Sequence, residues 1–184
     1  MKIREITPED IEIITQMRMQ MLDEVTDDPL PEGLEEQIRR FVWNHLMDGS
    51  CIGMVAEVHD HVVADAVLYI FDTMPDEVNI RGVTAMLYNV YTLPEYRGSG
   101  IMAVLLEKLI RLAEDAGVSE IQMTAEHRAI PLYERMGFQV TDNSMKMQLK
   151  KIIATLCPLS SLSRQKGGSP YEKEKRIETE KPVG

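Results

Sequence analysis

The sequence is poor in cysteine, with two among 184 residues, Cys51 and Cys157. Two cysteines this far apart form neither a metal-binding spacing nor a disulfide framework, so a reducing compartment is the simpler interpretation. Neither of them lies in a local arrangement with a base. We therefore expect both thiols to be inert, and we set aside a mechanism with a cysteine nucleophile.

Long apolar runs are also missing. Residues 1–5 carry charge where a signal peptide needs an apolar segment, and no later run approaches membrane-spanning length. These absences predict a cytoplasmic protein with no membrane partner.

The sequence contains fewer basic than acidic residues. Its 20 lysines and arginines and its 30 aspartates and glutamates give a net charge of -10. A nucleic-acid binder needs a basic surface, so we expect no nucleic-acid partner. The negative surplus would mildly attract a cationic amine, although solubility alone explains it and is the favoured interpretation. The length and the 44% hydrophobic content suit one globular domain.

What the sequence does contain is a strand, a glycine turn and a helix in succession. Residues 88–93 are rich in aromatic and β-branched side chains, which predicts a strand, and Pro94 ends it. Apolar residues beyond the turn predict a helix that stops at Gly117, with one buried stripe: Ile101, Leu105, Leu109, Leu112, Ala113 and Ala116.

The turn between them, residues 97–102, has the chemistry of an anion site. Gly98 and Gly100 lack Cβ atoms, so a ligand can approach the backbone N–H groups closely. These groups are the orphaned first-turn amides of a helix. The helix dipole and Arg97 add positive charge that suits a phosphate or pyrophosphate. The alternative is an ordinary tight loop. The turn is neither a P-loop nor a dinucleotide fingerprint, because no Gly-Lys-Ser/Thr and no third glycine follow.

At this turn the chain resembles the GCN5-related N-acetyltransferase (GNAT) superfamily. The cofactor motif of that family has the form Gln/Arg-x-x-Gly-x-Gly/Ala, and Arg97-Gly98-Ser99-Gly100-Ile101-Met102 lies on it. The family has a small residue at the last position of this motif, where this chain has Met102. The larger side chain affects how closely the helix can approach the ligand. Ala103 next to it offers part of the missing room.

A second motif of the family follows at the usual distance, in residues 129–138, where a short helix precedes a Gly-Phe strand start. The resemblance implies an α/β (α+β) fold with a mixed, mostly antiparallel central sheet flanked by helices, as one domain over residues 1–151. Residues 152–184 lack apolar periodicity, which predicts a flexible C-terminal tail.

Capping, periodicity and turn signals predict the other elements. They are an edge strand at 2–6, helices at 8–23 and 34–47, hairpin strands at 51–58 and 62–71, a short strand at 120–124, and a strand at 145–149 that pairs with one beginning at Phe138.

The predicted hairpin turn holds two histidines, His59 and His61, on either side of Asp60. A metal site can be imagined there. No further ligand lies at a suitable spacing, so a solvated turn is the favoured interpretation and we expect no metal.

The resemblance implies a function as well as a fold. Family members use acetyl-CoA as co-substrate and transfer its acetyl group directly to a bound amine, gaining rate from orientation. Carried over by position, the cofactor-binding residues are Val90, Tyr91, Thr92, Arg97, Gly98, Ser99, Gly100, Ile101, Met102 and Ala103.

Tyr133 occupies the family position of the acid that protonates the departing CoA thiolate. A phenol with the ordinary pKa of about 10 is protonated at neutral pH and can donate. The alternative is a tyrosine that only packs, and the presence of both motifs favours the catalytic role.

The incoming amine must lose a proton to a side chain or through water. Glu126 and His127, just before the short helix, are candidates, as are Asp72 and Glu77 in an earlier loop. Many family members carry asparagine where Glu126 falls, so this position departs from the family pattern.

The sequence predicts a small-molecule or peptide amine as acceptor but does not identify it, so small polyamines, amino-acid derivatives, antibiotics and protein N-termini all stay open. In the family, the loop that contains Asp27 and Asp28 helps to form the acceptor cleft, although such residues more often occupy exposed turns. Relatives are commonly dimers, which leaves a homodimer open without locating an interface.

Two other classes of function stay open. One is a non-catalytic acyl-CoA binding or sensing module of the same fold, which Met102 and Glu126 favour and Tyr133 counts against. The other is an interaction protein that uses the sheet only as a scaffold.

Overall fold

The computed structural model describes residues 1–141 together with Met145 and Met147. A five-stranded sheet in the order β1-β2-β3-β4-β5 forms its centre. The first four strands are antiparallel neighbours, and β5 runs parallel to β4. The strands are β1 (Lys2–Glu5), β2 (Cys51–Val58), β3 (His61–Asp72), β4 (Val83–Thr92) and β5 (Glu120–Gln122). The helices are α1 (Ile11–Val25), α2 (Leu34–Met47), α3 (Ile101–Asp115) and α4 (Ile130–Arg135). This mixed, mostly antiparallel sheet flanked by helices confirms the predicted fold class.

The sheet has two faces, each covered by different helices. The α3 face is packed by apolar side chains from α3 and the strands, among them Leu105, Leu106 and Leu109. On the opposite face, which we call the α1–α2 face, a smaller cluster includes Ile14, Val42 and Val67. Each helix buries one apolar stripe and leaves most of its charged side chains to solvent, as amphipathic periodicity dictates.

The chain enters α1 through a polar junction. The predicted helix start at Pro8 is a short 3₁₀ turn (Pro8–Asp10), and the α-helix begins at Ile11. The buried Asp10 carboxylate accepts hydrogen bonds from the Thr7 backbone N–H at 2.7 Å and from Arg4 at 2.7 and 2.8 Å. Burial of Asp10 opposes its ionisation, but these bonds outweigh it and hold its pKa below the ordinary value.

Strand β4 contains a bulge that shapes the site. Val67 pairs with Asn89 and Leu68 with Leu87, so Tyr88 is an extra residue with no partner on β3. The Tyr88 carbonyl instead accepts a hydrogen bond from Arg18 on α1, at 2.7 Å.

Strands β4 and β5 pair over three residues only, Thr84 to Met86 on β4 with Glu120 to Gln122 on β5. Beyond these pairs the two strands separate, and the predicted continuation of β5 to residue 124 is wrong because Met123 and Thr124 line the gap between the strands instead of pairing. The separation leaves space at one end of the sheet.

The hairpin turn is formed by His59 and Asp60, whose φ angles of 50° and 63° are the left-handed values that a two-residue hairpin requires. Within residues 1–141, Met145 and Met147, no group of three or more histidine, cysteine or acidic side chains could hold a metal ion. In the same part of the chain, no helix is long and apolar enough to cross a membrane.

The C-terminal predictions fall mostly beyond the described part. Residues 138–141 form no strand with any described partner, and the predicted partner at 145–149 lies outside it apart from Met145 and Met147. The predicted tail at 152–184 lies outside it altogether.

Candidate functional site

A cleft of about 950 Å³ lies where β4 and β5 separate. Its walls come from the end of α1, the outer part of β4, the glycine turn before α3, the segment after β5, and α4. Every predicted cofactor-binding residue lines it: Val90, Tyr91, Thr92, Arg97, Gly98, Ser99, Gly100, Ile101, Met102 and Ala103. The predicted acid Tyr133 lines it as well, so two motifs that are distant in sequence share one cavity.

The glycine turn has the backbone geometry that only glycine adopts readily. Gly98 and Gly100 have φ angles of 74° and 80°, in the left-handed region, and Gly100 is the residue that precedes α3. A Cβ atom at either position would meet nothing within 4 Å. Glycine is therefore required here by backbone conformation, and the turn stays open toward the cleft.

The first turn of α3 supplies donors to this opening. Backbone N–H groups at the start of an α-helix have no partner inside the helix, and the helix dipole makes their surroundings positive. Met102 lines the cleft and also packs against the apolar cluster under α3, so its side chain is half-buried.

Arg97 pairs with a residue that the sequence did not indicate. Its guanidinium donates to both carboxylate oxygens of Glu24 at 2.7 and 2.8 Å, and its Nε donates to the Thr92 carbonyl at 2.9 Å. Glu24 lies at the end of α1 and also accepts a 2.6 Å hydrogen bond from the Tyr91 hydroxyl.

These contacts change the ionisation of Glu24 and Tyr91 in the cleft wall. Hydrogen bonds from Arg97 and Tyr91 lower the pKa of Glu24. Burial, aided by the bond to Glu24, raises the pKa of Tyr91 to about 12.

The cleft is positive, although the whole chain is acidic. Among the described residues, four arginines line it, Arg18, Arg97, Arg128 and Arg135, against two acidic residues, Glu24 and Glu126. Arg135 lies in the second family motif, whereas nothing in the sequence neighbourhood of Arg18 and Arg128 distinguished them. A concave site with surplus positive charge attracts an anionic ligand.

Tyr133 is 7% exposed, and its ring packs edge-on against Phe138 with 5.7 Å between the ring centroids. Burial raises its pKa to about 12, so the phenol keeps its proton throughout the neutral range. Its hydroxyl has no hydrogen-bond partner among the described residues. The residue thus contributes both a packed ring and a wall of the cleft.

The candidates for the general base differ in whether they line the cleft. Glu126 lines the cleft, whereas His127, Asp72 and Glu77 do not. Asp72 is the last residue of β3, at the end of the sheet away from the bulge.

Two further sequence-based expectations concern residues outside the cleft. Asp27 and Asp28 are exposed in the loop between α1 and α2 and do not line it. Cys51 is buried, and burial raises the pKa of its thiol to about 12, which agrees with an inert role.

Comparisons with known proteins agree with this geometry. The model of the acetyltransferase (GNAT) family matches residues 18–138. Human N-acetyltransferase 8 is 29% identical over 110 residues, which are 58% of this chain and 46% of that protein. Glucosamine 6-phosphate N-acetyltransferase of Trypanosoma brucei brucei is 24% identical over 99 residues, 53% of this chain and 67% of that protein. The match therefore spans less than half of the human relative.

Solved structures share the fold. A predicted acetyltransferase from Clostridium acetobutylicum, crystallised with acetyl-CoA, superposes with a TM-score of 0.75 at 25% identity, over 80% of this chain and 95% of that one. A GCN5-related N-acetyltransferase from Ralstonia eutropha gives a TM-score of 0.73 at 24% identity, over 80% and 97% of the two chains.

Proposed function

Because the chain belongs to the acetyltransferase (GNAT) family, we propose that it transfers an acetyl group from acetyl-CoA directly to a primary amine. One observation carries the proposal. The glycine turn, the separated end of β4 and Tyr133 line a single positive cleft.

The residues of the cleft fit acetyl-CoA. Its pyrophosphate matches the open glycine turn, the first-turn amides of α3 and the neighbouring Arg97. Part of the Met102 side chain packs against the core, which supports the proposal that the turn has room for the pyrophosphate despite the size of this residue. When bound, acetyl-CoA supplies a thioester whose acyl carbon accepts the amine.

In this proposal each residue has a limited task. Backbone groups of Val90, Tyr91 and Thr92 bind and orient the co-substrate along the unpaired edge of β4. The new bond joins the amine nitrogen to the acyl carbon, and the carbon–sulfur bond breaks. Tyr133 donates its phenolic proton from Oη to the leaving sulfur, and it regains a proton from solvent.

The proton lost by the amine goes to Glu126 or to water. Of the side-chain candidates for this role, Glu126 is the one in the cleft wall. A carboxylate accepts a proton from an amine efficiently only once the carbon–nitrogen bond has begun to form, because that bond lowers the pKa of the nitrogen.

The test is thiol release from acetyl-CoA in the presence of a panel of primary amines, with the acetylated product identified by mass spectrometry. Tyr133→Phe should lower turnover by about 100-fold or more while acetyl-CoA affinity stays the same. Tyr171→Phe, beyond the described residues and outside the family match, is the matched control and should keep full activity.

The outcomes separate the competing functions. Acetyl-CoA binding with no transfer to any amine would favour the non-catalytic acyl-CoA module. Equal turnover of wild type and Tyr133→Phe at every pH would exclude Tyr133 as the acid. Because the pKa of Tyr133 is raised to about 12, any loss of activity between pH 8 and about pH 10 must come from another group.

A further inference from the structure

A second cavity, of about 290 Å³, adjoins the cleft on the α1–α2 face of the sheet. It shares two wall residues with the cleft, Arg18 and Tyr88. Helices α1 and α2 close it on one side and strands β3 and β4 on the other. The remaining wall residues are Ile14, Gln37, Ile38, Phe41, Val42, Val67, Tyr69 and Asn89.

Aromatic rings dominate the mouth of this cavity, which we call the ring pocket. Phe41 meets Tyr69 edge-on at 5.4 Å and Tyr88 edge-on at 6.0 Å between ring centroids. Phe41 is 38% exposed and Tyr88 is 46% exposed, so two large rings stay open to solvent around an apolar recess. Tyr88 is the unpaired residue of the β4 bulge, and its ring lies against Phe41 of α2. Such walls suit an apolar or flat side chain.

Arg18 places a cation at the boundary between the ring pocket and the cleft. Its one hydrogen bond among the described residues runs to the Tyr88 carbonyl at 2.7 Å, so within that part of the chain its other N–H groups have no hydrogen-bond partner. Burial lowers the pKa of Arg18, the sign of a cation whose lost hydration is incompletely replaced. A carboxylate beside it would supply the missing bonds in two-pronged geometry.

Asp65 attracts Arg18 through its charge but does not supply these bonds. It is fully buried, hydrogen-bonds to Asn89, and makes neither a hydrogen bond nor an ion pair with Arg18. Burial also raises the pKa of Asp65 to about 7, which weakens its charge at neutral pH. A second cation on the acceptor would therefore be repelled at Arg18, and an anion would be attracted.

Resting on the function proposed above, we infer that the acceptor is an apolar α-amino acid. Its side chain occupies the ring pocket between Phe41, Tyr69 and Tyr88, its carboxylate pairs with Arg18, and its α-amine faces the cleft where Tyr133 lies. The bond changes are those of the proposed transfer, with the α-nitrogen as nucleophile. The cavity volume is at the small end for ligand pockets, which suits one side chain.

The first test compares matched acceptors with wild-type protein. L-phenylalanine carries the ring and the carboxylate, 2-phenylethylamine lacks only the carboxylate, and 1,4-diaminobutane carries a second amine. A charge-assisted pair with Arg18 predicts a kcat/KM for L-phenylalanine about 10- to 100-fold above that for 2-phenylethylamine. Equal values for the two, or the highest value for the diamine, would overturn the inference.

The second test assigns the preference to Arg18. Arg18→Met should reduce the ratio of the two kcat/KM values to about one, with melting temperature and acetyl-CoA affinity retained. Arg111→Met, on the exposed side of α3 where Arg111 pairs with Glu107, is the control and should keep the wild-type ratio. An unchanged ratio in Arg18→Met would contradict the proposal.

A third variant tests the ring pocket itself. Phe41→Ala should raise KM for L-phenylalanine about tenfold and leave KM for glycine unchanged, because glycine has the carboxylate but no side chain. A similar rise for both amino acids would show that the ring pocket does not hold the side chain.

Calorimetric titration of L-phenylalanine and of 2-phenylethylamine into the protein with free CoA tests the inference by binding alone. No acetyl group is transferred, because free CoA carries none. Tighter binding of L-phenylalanine that is lost in Arg18→Met supports it, and equal binding of the two overturns it. Absence of thiol release with every amine would instead count against the proposed transfer, so the two failures are distinguishable.

Discussion

The two faces of the sheet bury different kinds of side chain. On the α3 face the buried residues are almost all aliphatic, and Leu105, Leu106 and Leu109 are each at most 1% exposed. On the α1–α2 face the strands bury Asp65 and Asn89, and a half-buried Arg18 and an open ring pocket lie beside them. One face is closed and apolar, and the other keeps polar groups and space.

We interpret this difference as a division of roles, in which the α3 face supports the site and the α1–α2 face contributes to ligand recognition. The α3 face holds the first turn of α3 and Tyr133 in fixed positions, because both belong to the same apolar cluster. The α1–α2 face carries Arg18 and the ring pocket, to which we assign the choice of acceptor. Buried polar groups cost free energy, so their concentration on one face indicates a use other than stability.

The largest effect on stability should come from the α3 face. Leu109→Ala removes a side chain that is 1% exposed and leaves a cavity, so we expect a loss of about 3 kcal/mol in the free energy of unfolding. Urea denaturation measures it. Arg111→Ala on the solvent side of the same helix should change the value by less than about 0.5 kcal/mol. A loss below about 1 kcal/mol for Leu109→Ala would mean that this face is not tightly packed.

On the other face, Asp65 should make stability fall as pH rises. Its pKa is raised to about 7 in the folded protein and is about 3.9 when unfolded, so the folded state binds more protons between these values. Relative to Asp65→Asn, wild type should lose about 2 kcal/mol of unfolding free energy between pH 5 and pH 7.

Denaturation of both forms across this pH range gives the difference directly. Groups with lowered pKa values, such as Asp10, act in the opposite direction and cancel because both proteins contain them. Parallel pH profiles for wild type and Asp65→Asn would show that the α1–α2 face does not bury a titrating carboxyl.

A smaller effect is expected where the two faces meet, at the Glu24–Arg97 pair. Glu24→Gln removes a negative charge from the cleft, while Arg97 keeps its bond to the Thr92 carbonyl. CoA should bind about threefold to tenfold more tightly, with stability changed by less than about 1 kcal/mol. Glu12→Gln, which breaks the exposed pair with Arg39 away from the cleft, is the control. Weaker CoA binding in Glu24→Gln would instead make Glu24 a residue that positions Arg97.

Elements governed by local signals were predictable from the sequence. Helix α2 has the predicted bounds, Leu34–Met47, because its amphipathic pattern ends at Asp48-Gly49. The glycine turn and α3 follow equally local rules, and the predicted turn residues all line the cleft.

Features that depend on pairing between distant segments were not predictable. Glu24 reaches Arg97 across 73 positions, and Arg18 reaches Tyr88 across 70. The bulge at Tyr88 arises from a register shift between β3 and β4, and no local pattern marks such a shift. The ring pocket depends on this register shift and on the contact between Arg18 and Tyr88, which is why the sequence did not indicate it.

The most direct test of the account is the melting temperature with and without acetyl-CoA in wild type, Gly100→Trp and Gly33→Trp. Gly33 and Gly100 each precede a helix, with φ angles of 77° and 80° and no atom within 4 Å of an added Cβ, but only Gly100 lines the cleft. At 100 times the Kd, acetyl-CoA should stabilise wild type and Gly33→Trp by about 2.7 kcal/mol and Gly100→Trp not at all. Equal stabilisation of a folded Gly100→Trp would contradict binding at the glycine turn.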